Sequence, residues 1–223
     1  MSQLINKLVD KKKALSVLKS GDRVMVGGFG LKGTPNELIE ELSKTDAKDL
    51  TIISNDLGSP GQGLGLLLRS HSIKNLIGNY YNWNPEVAEA YNRGEIDVQL
   101  LPQGTFAEAI RSGGVGIPAF YSPIGVGTDL AKGKEVKTIN GVDCLLEYSL
   151  RADVALIQAD KADELGNLVY SRVARNFNPA MAKAAKVTIV EVSEIVPVGS
   201  LDPESIVTPH VYVDYIVKRE EVQ

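Results

Sequence analysis

Short apolar runs alternate along this chain with stretches in which apolar residues recur every three or four positions. Runs rich in β-branched residues are typical of buried strands, and the spaced stretches are typical of amphipathic helices. A first helix is indicated by Leu4, Leu8, Ala14, Leu15 and Leu18. The predicted strands are 24–26, 50–55, 74–77, 97–101, 154–159 and 187–192, and the later predicted helices begin near 35, 64, 85, 105 and 179.

This order predicts an α/β fold, with a mostly parallel sheet flanked by helices. The pattern changes near residue 130, where segments 135–139 and 142–147 flank Asn140-Gly141, a strong signal for a hairpin with a type I′ turn. We therefore expect a small antiparallel section around residues 130–175. The alternating segment 211–217 is expected to pair at a sheet edge. Together these elements predict one domain that spans residues 1–223.

The first strand runs into a loop in which four of seven residues are glycine, from Gly27 to Gly33. Such a density of glycine lets another molecule approach the main chain closely. Thr34 is a plausible N-cap for the helix that follows, and Glu37 would complete a capping box. The free N–H groups of this helix end are expected to receive a carboxylate, a phosphate or an oxyanion. The plain alternative is a tight turn between strand and helix.

The same loop also satisfies the dinucleotide fingerprint, since Gly28, Gly30 and Gly33 form G-x-G-x-x-G after a strand and before a helix. Asp56 follows the next strand, roughly where an acidic residue would bind a ribose. A nicotinamide dehydrogenase is therefore one hypothesis. Pro35 argues against it, because the fingerprint's helix is already under way by its third glycine.

Composition and charge exclude several classes of function. The net charge is −4, the pI is about 5.3, and no basic tract favours nucleic acid or an anionic membrane. The single cysteine, Cys144, cannot form an internal disulfide and suits a reducing compartment. No targeting segment or membrane span is visible, so we expect a cytoplasmic protein. Two isolated histidines, His71 and His210, make a metal site or a catalytic triad a poor hypothesis.

The chain resembles the α subunits of the family I coenzyme A transferases. Their signature is an apolar triplet followed by Gly-Gly-Phe-x-x-x-Gly-x-Pro, which residues 24–35 satisfy. The resemblance covers nearly the whole chain. It continues through Ser54-Asn55, Pro102-Gln103-Gly104, 113–118, Gly125-x-Gly127-Thr128, Gly166-Asn167 and Ala174-Arg175-Asn176-Phe177-Asn178-Pro179.

The resemblance implies an enzyme whose nucleophile, a glutamate, is carried by a β subunit in a Glu-Asn-Gly motif. That glutamate attacks an acyl-CoA and becomes a glutamyl-CoA thioester, and an acceptor acid then reverses the steps. No catalytic residue is expected on this chain, and no metal or tightly bound cofactor. By the same resemblance, coenzyme A contacts the loop Gly27, Gly28, Phe29, Gly30, Leu31, Lys32 and Gly33, and the acyl group contacts Asn55, Gln103 and Gly104.

Three features differ from the family pattern, of which the smallest is Ser20, where an Asp or Asn usually precedes Gly21. Asp56 replaces a second asparagine, and the aromatic stretch from Tyr80 to Trp83 replaces a Tyr-Val-Gly-like segment. The aromatic stretch is interpreted equally as a core anchor or as part of a ligand site at the sheet edge. The acid is left open among acetoacetate, butyrate, acetate, succinate and 3-oxoadipate. A non-catalytic sensor of small ligands is the third hypothesis.

Overall fold

A computed structural model describes residues 7–220 of the chain. The helices are α1 (Lys11–Leu15), α2 (Asn36–Ser43), α3 (Gly65–Arg69), α4 (Pro85–Asn92), α5 (Gln103–Gly114) and α6 (Asn178–Ala184). The strands are β1 (Arg23–Val26), β2 (Leu50–Ile53), β3 (Ile73–Gly78), β4 (Asp97–Leu100), β5 (Ala119–Ser122), β6 (Val136–Ile139), β7 (Val142–Tyr148), β8 (Ala152–Asp163), β9 (Leu168–Val169), β10 (Ala185–Val196) and β11 (Tyr215–Lys218).

Seven of these strands form a parallel sheet in the order β11-β10-β8-β1-β2-β3-β4, and β9 adds to β8 in the antiparallel direction. The predicted α/β class with a mostly parallel sheet is therefore confirmed. The edge strand predicted within 211–217 also forms, as β11, although residues 210–212 are a turn of 3₁₀ helix.

Helices cover both faces of the sheet, which explains why its strands are apolar on both sides. Along β1 the side chains alternate: Val24 and Val26 face the core under α2 and α3, whereas Met25 faces the core under α5 and α6. Phe106 and Phe177 meet edge to face in the second core, with ring centroids 5.3 Å apart. The two cores hold rigidly the strand ends from which the loops emerge.

The predicted hairpin is confirmed. β6 and β7 pair antiparallel across Asn140 and Gly141, whose φ angles of 49° and 79° are both positive, as a type I′ turn requires. The third strand of this sheet, β5, is not among the strands predicted from the sequence. Its pairing with β7 comes from the tertiary structure, which local sequence does not reveal.

The first helix is shorter than the pattern predicts. It spans Lys11–Leu15 and is capped by Asp10, whose carboxylate accepts from the Lys13 N–H at 2.8 Å. Leu8 instead forms a parallel bridge with Ile216 of β11, and Leu4 lies outside the described residues. Among residues 7–220, no helix has the length and apolar character needed to span a bilayer.

The strand order reverses between β1 and β8. From β1 the chain moves outward through β2, β3 and β4, whereas β8, β10 and β11 extend the sheet on the other side. In open parallel sheets, ligands bind beyond the carboxyl ends of the strands at such a reversal. The loop that follows β1 lies at this point.

Candidate functional site

The glycine loop, residues 27–33, carries a tight turn at its centre. The Phe29 N–H donates to the Lys32 carbonyl at 3.0 Å, and the Lys32 N–H donates back to the Phe29 carbonyl at 3.2 Å. The turn projects two apolar side chains outward, with Phe29 50% and Leu31 41% exposed. The loop therefore presents an apolar surface at the sheet edge.

Other parts of the same chain fill the space that the glycines leave. A Cβ on Gly27 would lie 1.8 Å from Asn178 Oδ1, and a Cβ on Gly33 would lie 2.3 Å from the Ala174 carbonyl oxygen. A Cβ on Gly28 would lie 2.3 Å from Thr34 Oγ1. On the side where these three glycines would carry a Cβ, the main chain is therefore approached by the segment 174–178 and by Thr34 of the same chain. The approach of another molecule to the loop stays a prediction.

Three side chains hold the main chain of this loop. Asn176 accepts from the Gly28 N–H at 3.1 Å and donates to the Lys32 carbonyl at 2.9 Å. Asn178 donates to the Gly33 carbonyl at 2.9 Å. Asp56 accepts from the Gly30 N–H at 2.7 Å. Within the described part of the chain, the loop N–H groups that donate no hydrogen bond are those of Leu31 and Gly33.

The end of α2 is not open to an external anion, contrary to expectation. Its N-cap, Pro35, supplies no side-chain bond, and the Thr34 hydroxyl donates to the Gly30 carbonyl at 3.2 Å instead of capping the helix. The cap is Glu191, whose Oε2 accepts from the N–H groups of Glu37 at 2.9 Å and of Leu38 at 3.1 Å. A carboxylate of this chain thus occupies the position where a substrate anion was predicted.

Glu191 is completely buried. Arg219 lies beside it, with Nε 3.0 Å from Oε1 of the carboxylate. Burial is the largest influence on this group and raises the pKa of Glu191 to about 7, although the two N–H groups and Arg219 oppose the shift. The cap therefore titrates near neutral pH.

The dinucleotide hypothesis fails at Asp56. This buried carboxylate accepts from the Gly30 N–H and, at 3.0 Å, from the Asn55 side-chain amide through Oδ2. Its Oδ1 accepts from the Gly58 N–H at 2.9 Å. Asp56 thus ties the glycine loop to the loop after β2 and is not available to a ribose.

Asn55 lies at the end of β2 and is only 2% exposed. Because an ionised carboxylate only accepts hydrogen bonds, the contact with Asp56 fixes the Asn55 NH₂ group towards Asp56. Asn55 Oδ1 is left without a partner, and so is the buried hydroxyl of Tyr81. Burial, followed by the charge of Asp56, raises the pKa of Tyr81, which keeps this hydroxyl protonated.

Gln103 and Gly104 open α5 at the same sheet edge and are exposed. The Gln103 amide makes no hydrogen bond within residues 7–220 and is therefore free to bind a ligand. Two strands, β2 and β3, separate β4 from β1, so Gln103 does not adjoin the glycine loop. At the usual strand spacing the separation is about 14 Å, which an extended ligand spans more easily than a small acid.

The two interpretations of the aromatic stretch, core anchor and ligand site, apply to different residues. Tyr81 is buried and anchors the core, whereas Trp83 is 60% exposed. Tyr80 and Trp83 meet edge to face with centroids 5.9 Å apart, and the Trp83 ring lies 3.3 Å from the position of a Cβ on Gly30. The exposed pair thus extends the apolar surface of the glycine loop.

A cavity of about 260 Å³ lies between the glycine loop and the ends of β8 and β10. Its lining includes Lys32, Gly33, Asn36, Gln158 and Arg219. Lys32 and Arg219 are cationic, but Asp160 also lines the cavity and Arg219 pairs with Glu191, so the cavity suits a small polar group. Among residues 7–220, no cluster of His, Cys, Asp and Glu is arranged to hold a metal ion.

Sequence reasoning missed three residues that shape the site, namely Asn176, Asn178 and Glu191. The two asparagines lie in the Asn-Phe-Asn segment that carried the family resemblance, but no role was predicted for them. Asn176 has φ 22° and ψ −121°, which a sequence pattern cannot reveal. The cap formed by Glu191 was not predicted, because its contact with α2 spans 154 residues.

Comparison with known proteins gives one consistent result. The sequence model of the family described as coenzyme A transferase matches residues 9–219. One of the subunits of the succinyl-CoA:3-ketoacid coenzyme A transferase of Helicobacter pylori (strain J99) is 49% identical over 98% of this chain and 95% of that relative. The alpha subunit of the acetate CoA-transferase of Escherichia coli (strain K12) is 44% identical over 96% of this chain and 98% of that relative.

A solved structure has the same fold. An acyl-CoA transferase of Escherichia coli O157:H7, crystallised as a thioester complex with CoA, matches with a TM-score of 0.87 at 18% identity. The match covers 96% of this chain and 47% of that protein, so the chain spans about half its length.

Proposed function

The chain belongs to the coenzyme A transferase family, and we propose that it is the α subunit of a heteromeric enzyme that moves CoA between a short-chain acyl-CoA and a carboxylic acid. The observation that carries this proposal is the near full-length similarity to relatives that are named as one subunit of such a transferase. A second kind of subunit is implied by those names.

The site has the character of half an active centre. It offers the exposed amide of Gln103, the free N–H groups of Leu31 and Gly33, and an apolar rim. These groups bind and orient ligands, but none of them is an activated nucleophile. The reacting group therefore comes from the partner subunit, as the family resemblance implies.

In the proposed mechanism, a carboxylate oxygen of the partner's glutamate attacks the acyl carbon of the acyl-CoA, and the CoA thiolate leaves. The thiolate then attacks the glutamyl carbonyl of the resulting anhydride and releases the acyl group as a free acid. The product is a glutamyl-CoA thioester, from which the acceptor acid takes CoA by the reverse steps. Gln103 is proposed to donate to the oxyanion that forms in these additions, a contribution of about 3–4 kcal/mol.

Succinyl-CoA and a 3-oxo acid such as acetoacetate are the first pair to test, because one relative is named after them. Acetate is the second, from the name of the other relative. Butyrate and 3-oxoadipate complete the panel. Coenzyme A acts here as substrate, so no tightly bound cofactor is proposed.

We also propose that residues 1–223 form one subunit domain, which assembles as αβ or α2β2. A cytoplasmic location is proposed because Cys144 is buried and forms no disulfide, which suits a reducing compartment. A dehydrogenase is not favoured, since Asp56 is already bonded to the main chain of both loops. A non-catalytic sensor is not favoured either, because the similar relatives are named as enzyme subunits.

The test is reconstitution. The chain is co-purified with the product of the neighbouring reading frame, expected to carry a Glu-Asn-Gly motif, and assayed with succinyl-CoA and acetoacetate. Initial rates should give the parallel lines of ping-pong kinetics. Mass spectrometry after incubation with acyl-CoA should find CoA attached to the partner and not to this chain. CoA attached to this chain, or turnover by this chain alone, would refute the proposal.

A further inference from the structure

The segment 174–178 lies against the glycine loop, and it holds main-chain groups of the loop other than the Gly30 N–H that Asp56 holds. We propose that Asn176 is a positioning residue, whose single side-chain amide holds the glycine loop in the shape that binds acyl-CoA. The contact with the acyl-CoA rests on the proposed function. The role in shaping the loop rests on the geometry alone.

One planar amide joins the two sides of the central turn. Its Oδ1 accepts from the Gly28 N–H at 3.1 Å, before the turn, and its Nδ2 donates to the Lys32 carbonyl at 2.9 Å, after it. Because the amide is rigid, it links these two main-chain groups at a set separation, in addition to the two Phe29–Lys32 hydrogen bonds that close the turn. Phe29, Gly30 and Leu31 are therefore held as one preformed turn.

The Asn176 amide is in turn held by Asn178. Asn178 is completely buried, and its Nδ2 donates to Asn176 Oδ1 at 3.2 Å and to the Gly33 carbonyl at 2.9 Å. Asn178 Oδ1 in turn accepts from the Gln158 N–H in β8 at 2.9 Å. The loop is thus connected through two amides to the central strand that lies beside β1.

The backbone of Asn176 is strained. A non-glycine residue with φ 22° and ψ −121° occupies a sparsely populated conformation, which typically costs about 1–3 kcal/mol. Glycine would adopt this conformation more easily. The protein tolerates the strain with a side chain that glycine lacks, which points to the amide as the reason for asparagine at this position.

Gly30 carries a different restraint, because its N–H is held by Asp56 and not by Asn176. This difference provides an internal comparison. Loss of the Asn176 amide should release Gly28 and Lys32, whereas the bond between Gly30 and Asp56 should remain.

The first experiment measures amide hydrogen exchange by NMR on the full chain, in wild type and in Asn176→Gly, which removes the amide and relieves the backbone strain. The exchange of the Gly28 N–H should accelerate at least tenfold, and that of the Gly30 N–H by less than threefold. Asn176→Asp keeps the acceptor for Gly28 but loses the donor to Lys32, so its Gly28 exchange should stay close to wild type. Unchanged exchange of Gly28 in Asn176→Gly would overturn the proposal.

The second experiment measures kcat/KM for acyl-CoA in the reconstituted complex. A reacting group displaced by about 1 Å can lose about 100-fold in rate, so Asn176→Gly should lower kcat/KM by about that factor. The matched control is Asn167→Ala. Asn167 makes comparable bonds, to Asp163 at 2.7 Å and from the His210 N–H at 2.9 Å, but none to the glycine loop.

The control should lower the melting temperature and leave kcat/KM for acyl-CoA within twofold of wild type. If Asn176→Gly accelerates exchange at Gly28 but keeps kcat/KM within twofold of wild type, the positioning role is refuted. If the wild-type complex transfers no CoA, the proposed function fails. The hydrogen exchange result then decides separately whether Asn176 shapes the loop.

Discussion

Glu191 caps α2 as a buried carboxylate, so we expect the stability of the fold to depend on pH through this group. The change is Glu191→Gln, which keeps an oxygen acceptor for the N–H groups of Glu37 and Leu38 but removes the charge. Because burial raises the pKa of Glu191 to about 7, the folded protein holds this proton more tightly than the unfolded chain, in which the pKa is 4.5. The resulting contribution to stability is fully present below pH 4.5 and is lost as the pH rises through 7.

The size of the effect follows from the shift. A difference of about 2.5 pKa units corresponds to about 3 kcal/mol, at about 1.4 kcal/mol per unit. The wild type should therefore lose about that much stability, relative to Glu191→Gln, between pH 4.5 and pH 8. The slope between the two pKa values approaches 1.4 kcal/mol per pH unit, because one proton is bound in the folded state and not in the unfolded state.

Urea unfolding of both proteins at pH 5 and pH 8, with the free energies of unfolding compared at each pH, tests this prediction. Carboxylates shared by the two proteins cancel in the difference. The control is Glu194→Gln on the same strand, since the Glu194 side chain is half exposed and pairs with Lys161 at 2.6 Å. Such a solvent-screened surface pair should contribute little to stability at either pH. If wild type and Glu191→Gln differ equally at pH 5 and pH 8, Glu191 is already ionised at pH 5 and the reasoning is wrong.

Three further predictions follow from the site and the core. Gln103→Ala should lower kcat about 100- to 1000-fold in the reconstituted complex, measured by steady-state kinetics, and leave the melting temperature unchanged because the side chain is exposed. Gly27→Ala should destabilise the chain by about 1–3 kcal/mol in urea unfolding, since its Cβ would meet Asn178 Oδ1. Lys134→Met should destabilise it by about 3–5 kcal/mol at pH 7, because it leaves the buried carboxylate of Glu147 without its partner at 2.7 Å.

Each of these has a control. Gly104→Ala is the control for Gly27→Ala, because no atom lies within 4 Å of the Cβ position on Gly104. The stability of Gly104→Ala should not fall below that of the wild type. Equal losses in the two alanine variants would show that the contact with Asn178 is not the cause. Full activity of Gln103→Ala would show that Gln103 does not stabilise the oxyanion. Adding Glu147→Gln to Lys134→Met removes the unpaired charge and should restore most of the lost stability, and no recovery would indicate a packing defect instead.

Most of the fold was predictable because the sequence patterns that indicate its strands and turns are local. β1 and β2 are mostly apolar runs bounded by turn residues, and the positive φ angles at Asn140 and Gly141 follow from the residues themselves. β5 was not predictable, because its four residues form a strand only when β7 pairs with them.

The position of the glycine loop, between β1 and α2 at the sheet edge, was predictable from the sequence, but the contacts that hold it were not. The density of glycine in residues 27–33 indicated that other groups come close to the main chain. It did not reveal that these groups are Asn178 and Ala174. Asn178, which donates to the Gly33 carbonyl, lies 145 residues further along the chain. The capping box at Thr34 failed for a related reason, since Glu191 competes for the same N–H groups.

The distance in sequence between the glycine loop and the amides that hold it has a consequence for synthesis. When the ribosome has added residue 150, the glycine loop has already been synthesised. Asn176, which bonds Gly28 and lies 148 positions after it, has not. The loop should therefore acquire its shape late in translation. Nascent chains arrested before residue 176 should leave it open to proteolysis, whereas chains arrested well beyond that residue should protect it.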